Sequence, residues 1–302
     1  ILLKEVIDNS IDEYVMGHGT KIEVVIEDGV ASVRDYGRGI PLGKVIDVVS
    51  KMNTGGKYDS KAFKKSVGLN GVGLKATNAL SDEFMVYAVR EGNMKQADFS
   101  VGNLIKEHKQ VKTKEVNGTY IRYHADPAIF KKFKYRSDFI ENQLWNYAYL
   151  NAGLKLIFNG KTLVSKNGLK DLLERKVNEE LRRYPVIHLK GEDMEVAITH
   201  GNAYGETYFS FVNGQHTTQG GTHLNAYKQG FVEYCQKHFN KAYDRKDILG
   251  SVVTAVAIKV EDPIFESQTK TKLGSTDMGP DSPTVSTFMR KFMMEHFDNF
   301  LH

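Results

Sequence analysis

Three turn signals constrain this chain most. Glu27-Asp28-Gly29, Asn117-Gly118 and Asn159-Gly160 each adjoin runs rich in β-branched and aromatic residues. Such a turn between two extended runs closes a hairpin, because aspartate, asparagine and glycine accept the left-handed backbone that tight turns need. Residues 21–26 and 30–34 flank the first turn, so Asp35 is expected at the end of a strand. Further strands are expected over 84–89, 95–101, 119–124 and 154–158, and apolar periodicity predicts helices over 2–16, 42–51, 74–80, 139–150 and 170–181. A sheet made mostly of hairpins, with helices on one face, is a two-layer α+β sandwich.

Near Leu189-Lys190-Gly191 the pattern restarts, with strands expected over 195–199, 208–212 and 251–260 and helices over 222–239 and 283–300. The expected division is therefore 1–189 and 190–302. A chain of 302 residues fits two domains at roughly 150 residues each. No repeat, low-complexity tract or apolar run of the roughly 18 residues that a membrane span requires is present. The single cysteine, Cys235, excludes an intramolecular disulfide framework and fits a reducing compartment, the cytoplasm. Residues 1–189 carry a net +7 and 190–302 a net −3, which permits a polyanionic partner but is equally the pattern of solvated lysine faces. The chain opens at Ile1 inside an amphipathic pattern, and further residues are expected upstream.

Four constellations can carry chemistry. Glu5, Asn9 and Asp12 lie one turn apart opposite Leu3, Ile7 and Tyr14, so Glu5 could polarise a water while the Asn9 amide oxygen ligates a hard cation such as Mg²⁺. A solvated helix face is the plainer reading of the same residues. Asp35-Tyr36-Gly37-Arg38-Gly39-Ile40-Pro41 places a carboxylate at a strand end, where it can accept from an exocyclic amine, and two glycines that let backbone approach a flat ligand. Gly68-Leu69-Asn70-Gly71-Val72-Gly73 runs into a helix and offers converging backbone N–H groups to phosphate oxygens. The polar stretch 53–73 that contains it has the length of a functional lid. Lastly, Gln268-Thr269-Lys270-Thr271-Lys272 sets an ammonium on a loop that could reach a terminal phosphate.

Competing nucleotide motifs fail. Gly71-Val72-Gly73-Leu74-Lys75-Ala76 matches a dinucleotide fingerprint, but no apolar strand runs into it. Gly160-Lys161-Thr162 lacks the upstream glycine of a phosphate-binding P-loop and reads as strand-turn-strand. His200, His216 and His223 have no ligand spacing, and structural or surface roles suit them better. Cys235 falls in a helical pattern where burial outweighs nucleophilicity.

Taken in order, Glu5-Val6-Ile7-Asp8-Asn9-Ser10-Ile11-Asp12-Glu13, the Asp35–Pro41 turn, the 68–73 glycine loop and Gly118-Thr119 resemble the GHKL (Bergerat) ATP-binding fold shared by gyrase, Hsp90 chaperones, histidine kinases and MutL. Gly220-Gly221-Thr222-His223 and Ser267-Gln268-Thr269-Lys270 narrow the resemblance to the ATPase subunit of type II DNA topoisomerases, with a MutL-like or other GHKL ATPase as the alternative. Tyr36, Asn70 and the short loop after Pro41 look more like topoisomerase IV than gyrase B subunits.

The resemblance implies an ATP-binding domain followed by a smaller α/β transducer domain of the ribosomal protein S5 domain 2-like kind. It implies ATP and Mg²⁺, with Glu5 as general base, Asn9 as the metal ligand and Asp35 on the adenine amino group, assisted by Thr119. Arg38, Gly39, Ile40, Pro41 and Arg90 would line the pocket, and Lys57 with Gly68, Leu69, Asn70, Gly71, Val72 and Gly73 would close over the phosphates. Gln268 and Lys270 would sense the γ-phosphate from the second domain. A homodimer closed by ATP around double-stranded DNA, a DNA-cleaving A subunit in an A2B2 assembly, and ATP-competitive inhibitors of the pocket are the partners implied. No acidic Glu-Gly-Asp-Ser metal module occurs, so ATPase chemistry but not DNA cleavage is expected here.

Overall fold

The computed structural model describes residues 1–52, 65 and 71–301. They form two units, Ile1–Ser165 and Lys166–His302. No helix among the described residues is long and apolar enough to cross a membrane.

In the first unit the order is α1 (Leu2–Val15), β1 (Lys21–Glu27), β2 (Val30–Asp35), α2 (Val45–Ser50), α3 (Gly73–Ala79), β3 (Ser81–Arg90), β4 (Asn93–Ser100), β5 (Asn103–Glu107), β6 (Val111–Lys112), β7 (Gly118–Ala125), α4 (Ser137–Leu150), β8 (Lys155–Phe158) and β9 (Lys161–Leu163). The strands make one sheet in the order β5-β4-β3-β7-β2-β1-β8-β9, with β6 also beside β4. Every pairing is antiparallel except β1 with β8. Gly29 and Gly160 turn the expected hairpins at φ +80° and +83°.

Alternate residues of the central strands, among them Val24, Val33, Val86, Ile121 and Leu156, share one core with Ile7 and Ile11 of α1, Val49 of α2, Leu74 of α3 and Leu144 of α4. All four helices thus cover one face, as the two-layer reading requires. β5 and β6 had no strand signal in the sequence, because every one of their residues is exposed and no alternation marks them.

The second unit begins earlier than the sequence restart at 189. Its order is α5 (Leu169–Lys176), β10 (Ile187–Lys190), β11 (Met194–His200), β12 (Thr207–Val212), β13 (Gln215–His216), α6 (Thr222–His238), α7 (Arg245–Leu249), β14 (Val252–Ile258) and α8 (Val285–Leu301). The sheet order is β10-β11-β14-β12-β13, with β12 and β14 parallel. Leu169, Leu172 and Leu173 of α5 are buried, and α5 packs on β11 and β14, which assigns 166–189 to this unit. The helix expected over 170–181 stops at Lys176: Val177 turns extended, and the Arg182 guanidinium donates to the carbonyls of Val177 at 2.8 Å and Glu174 at 3.0 Å, satisfying the helix end. α6 and α8 pack together over Tyr227, Phe231, Met289 and Phe297.

Candidate active site

Periodicity puts Leu3, Ile7 and Ile11 of α1 in the core and leaves Glu5 and Asn9 half-buried on the neighbouring face. Glu5 meets the glycine motif directly. A Cβ on Gly73 would lie 1.9 Å from Glu5 Oε2 and 2.8 Å from Glu5 Cβ, so the carboxylate approaches the start of α3 only because residue 73 has no side chain. The Asn9 amide donates to the Glu5 carbonyl at 2.6 Å, which turns its oxygen away from that carbonyl. An amide oxygen so placed is a hard donor of the kind Mg²⁺ takes, and Asn9 therefore fits the metal-ligand role. Asp12 departs from the expected solvated face, being 3% exposed, although at 3.6 residues per turn it lies on nearly the same face of α1 as Glu5, two turns further along.

Five residues along α1 from Glu5, the Ser10 hydroxyl donates to Asp35 Oδ2 at 3.4 Å. Asp35 ends β2 as expected and is buried, and its Oδ1 accepts the backbone N–H of Gly37 at 3.0 Å and of Thr119 at 3.1 Å. Burial pushes this carboxyl up to about 6, and the two N–H donors only partly offset it. Thr119 is held twice, since its hydroxyl also accepts the Ile40 N–H at 3.2 Å.

Gly39 stands at φ +79°, where a Cβ would meet the Val89 carbonyl oxygen at 2.5 Å, the Gly118 carbonyl oxygen at 2.9 Å and Arg90 Cγ at 3.1 Å. Ile40, Gly39, Arg90, Thr119 and Asp35 are thereby gathered at one place. Pro41 follows at φ −51° and leads the chain into a single turn of 3-10 helix.

Arg38, exposed, reaches back to α1. Its guanidinium grips both oxygens of Glu13, at 3.2 and 2.9 Å, and its backbone N–H donates to Glu13 Oε2 at 3.0 Å. Burial costs Glu13, yet Arg38 holds its carboxyl below the usual range. Sequence reasoning also missed the support behind the turn. Arg34, buried, donates to the carbonyls of Asp35 at 2.5 Å and Val116 at 2.7 Å and lies over the rings of Tyr36 and Tyr87. Lys75 donates to the Gly71 carbonyl and so ties the glycine segment to α3. Ser10, Glu13 and Lys75 all lie within motifs quoted from the sequence, but nothing in a linear pattern shows which way they point.

Gly71, Val72 and Gly73 are described, whereas Lys57, Gly68, Leu69 and Asn70 lie outside the described residues. Gln268 and Lys270 stand in the second unit on a loop between Phe265 and Leu273, which pair as an antiparallel bridge; Gln268 is exposed and Lys270 half-buried. His223 is structural, as expected, but its Nδ1 has no hydrogen-bond partner among the described residues. Cys235 is half-buried, and burial pushes its thiol up to about 11.

The chain that carries the Glu5 and Asp35 carboxylates has relatives among known proteins. Residues 1–127 match the family model for histidine kinase-, DNA gyrase B- and HSP90-like ATPases, and 159–302 match the model for DNA gyrase B. The B subunit of DNA topoisomerase 4 from Borreliella burgdorferi is 47% identical over 92% of this chain and 46% of its own length.

Over nine-tenths of its length the chain is similar to the B subunits of type II DNA topoisomerases.

Another relative is the B subunit of DNA gyrase from Helicobacter pylori, 31% identical over 91% of the chain and 40% of its own length. The chain spans less than half the length of either relative. Among solved structures, the 43K ATPase domain of Thermus thermophilus gyrase B, in complex with an aminocoumarin, aligns with a TM-score of 0.74 and 28% identity over 97% of the chain and 83% of that domain. The gyrase B match over the second half, with these B-subunit relatives, sets the MutL-like alternative aside.

Proposed function

We propose that this chain is the ATP-driven clamp region of a type II topoisomerase B subunit, with the first unit binding and hydrolysing ATP and the second transmitting the result. One observation carries this reading: α1 presents Glu5 to Gly73 at one end and Ser10 to the buried Asp35 at the other, so a single helix spans a phosphate-binding and a base-binding end.

In this reading Asp35 accepts the adenine amino group, and Thr119, locked by Asp35 and Ile40, holds a water beside it. Gly39, Ile40, Pro41 and Arg90 wall the base, and Arg38, clamped by Glu13, sets the turn at the pocket mouth. The N–H groups of Gly71, Val72 and Gly73 face the phosphates, joined by Lys57, Gly68, Leu69 and Asn70 as the rest of the lid. Glu5 takes the proton of the attacking water as its oxygen bonds to the γ-phosphorus and ADP departs. Asn9 would hold Mg²⁺, which supplies neutralisation of phosphate charge when bound. Gln268 and Lys270 contact the γ-phosphate, a contact that ADP cannot make, and this difference gives the switch its differential affinity.

Closure of a homodimer around a DNA duplex, assembly with a DNA-cleaving A subunit, and occupation of the pocket by ATP-competitive inhibitors complete the proposal. Greater identity to a topoisomerase IV than to a gyrase B subunit favours a topoisomerase IV role. The test is phosphate release by the full-length B subunit assembled with its A subunit. Glu5→Ala is expected to lower turnover by roughly 10²- to 10⁴-fold while ATP still binds. Turnover at the unaltered rate would reject the assignment.

A further inference from the structure

The motif Gly220-Gly221-Thr222-His223 takes no part in the chemistry above, yet it is built against the loop that carries Gln268 and Lys270. Phe265 and Leu273 close that loop at its base, where the Glu266 N–H donates to the Lys272 carbonyl at 3.0 Å, the Gly274 N–H to the Ile264 carbonyl at 2.8 Å, and the Lys272 ammonium pairs with Glu266 at 2.9 Å. At the tip the Lys270 N–H donates to the Ser267 carbonyl at 3.0 Å, and Lys270 adopts φ +54°. A lysine held in the left-handed region needs its surroundings to keep it there.

The motif and the preceding Gln219 hold the segment that follows Lys270. Gly221 pairs with Leu273 as a parallel bridge: the Leu273 N–H donates to the Gly220 carbonyl at 3.1 Å, and the Thr222 N–H returns to the Leu273 carbonyl at 3.1 Å. The Thr222 hydroxyl donates to the Ser275 carbonyl at 2.6 Å. Gly221 has φ +132°, and a Cβ there would fall 2.4 Å from the Leu273 carbonyl oxygen, so the approach requires glycine. Nearer the tip, the Gln219 N–H donates to the Thr271 carbonyl at 2.9 Å, and the Thr271 hydroxyl donates to Gln219 Oε1 at 3.2 Å. The motif is itself fixed to β12. His223, fully buried, lies 3.3 Å through Nε2 from the Thr217 hydroxyl, which is 2.7 Å from the Ser210 hydroxyl.

We propose that Gly220-Gly221-Thr222-His223 is the seat of the phosphate-sensing loop, and that Thr222 and Gln219 are positioning residues which set the reach of Lys270. The proposal rests on the reading of Lys270 as the γ-phosphate contact. A lysine on four flexible bonds discriminates ATP from ADP only if its backbone is placed beforehand, because ordering it at the moment of binding would cost the affinity difference that the switch uses.

The test is the ratio of affinities of the full-length B subunit for a non-hydrolysable ATP analogue and for ADP. Thr222→Val is expected to lower this ratio about fivefold, what one ordinary hydrogen bond is worth, with ADP affinity unchanged. Thr222→Ser, which keeps the hydroxyl, should restore it. Gln219→Ala, at an exposed position the fold tolerates, should lower it about twofold. Lys270→Met reports on the underlying reading separately, since a ratio unmoved by Lys270→Met overturns the phosphate contact itself. If Lys270→Met lowers the ratio while Thr222→Val and Gln219→Ala leave it intact, the seat is overturned and the contact stands. Adding Thr222→Val to Lys270→Met should change nothing further, and additive losses would show that Thr222 acts other than through the lysine.

Discussion

Asp35 in the first unit and His223 in the second are both titratable, both buried, and shifted in opposite directions by the same cause. Burial lifts the Asp35 carboxyl to about 6 and drops the His223 imidazole to about 3. Their surroundings differ. Asp35 is met by two backbone N–H groups and the Ser10 hydroxyl beside a turn opened by Gly39, and in the function proposed above it accepts the adenine amino group. His223 is buried, touches Thr217 through one nitrogen, and has no partner at the other among the described residues. In the function proposed above, the first unit retains a costly group for use in binding, and the second retains one as part of a scaffold. Sites of the first kind trade stability for function.

The contrast would break most visibly at Gly73. Gly73→Ala puts a Cβ 1.9 Å from Glu5 Oε2 and 2.8 Å from Glu5 Cβ, so both the carboxylate and the α1 backbone that carries it must move. Hydrolysis should fall by roughly 10²-fold, the effect of a misplacement of about 1 Å, and the unfolding midpoint should fall with it, because α1 and α3 must part to admit the Cβ. Equal turnover would show that Glu5 need not stand where it does. His223 provides the smaller, complementary effect. Its folded state binds fewer protons than the unfolded chain between about 3 and the ordinary 6.5, so it withdraws stability as pH falls below 6.5. His223→Gln should therefore shrink the loss of unfolding free energy between pH 7 and pH 5 by about 2 kcal/mol in denaturant titrations, with nucleotide affinity at pH 7 preserved. An unchanged pH slope would remove His223 from the comparison.

How much of this was legible in the sequence depends on which force fixed each part. The hairpins around Gly29 and Gly160, α1 and the apolar β14 were readable because alternation, helical periodicity and turn chemistry are local. Exposed β5 and β6 have no apolar face, and α5 belongs to the second unit through packing that no local pattern records. The same divide runs through the site. Asp35 could be placed at a strand end and Gly73 at a helix start, since each is a boundary with a chemical signature. The burial of Asp12, the Glu13 clamp on Arg38, and the docking of Gly221 on Leu273 are meetings of residues 25 or more positions apart, or of faces fixed by the core.

Asp35→Asn tests the central claim most directly, with ATP affinity and unfolding midpoint measured on the same protein at pH 7.5. The raised carboxyl means that the folded state binds more protons between the ordinary 3.8 and about 6, so stability is lost as pH rises through that window and stays lost above it. A neutral amide of the same shape escapes this cost. ATP binding should weaken on the order of 10- to 100-fold, as expected for a hydrogen bond to a charged group, while the midpoint holds or rises. Undiminished ATP affinity would contradict the account, because Asp35 would then be a buried charge that no nucleotide uses.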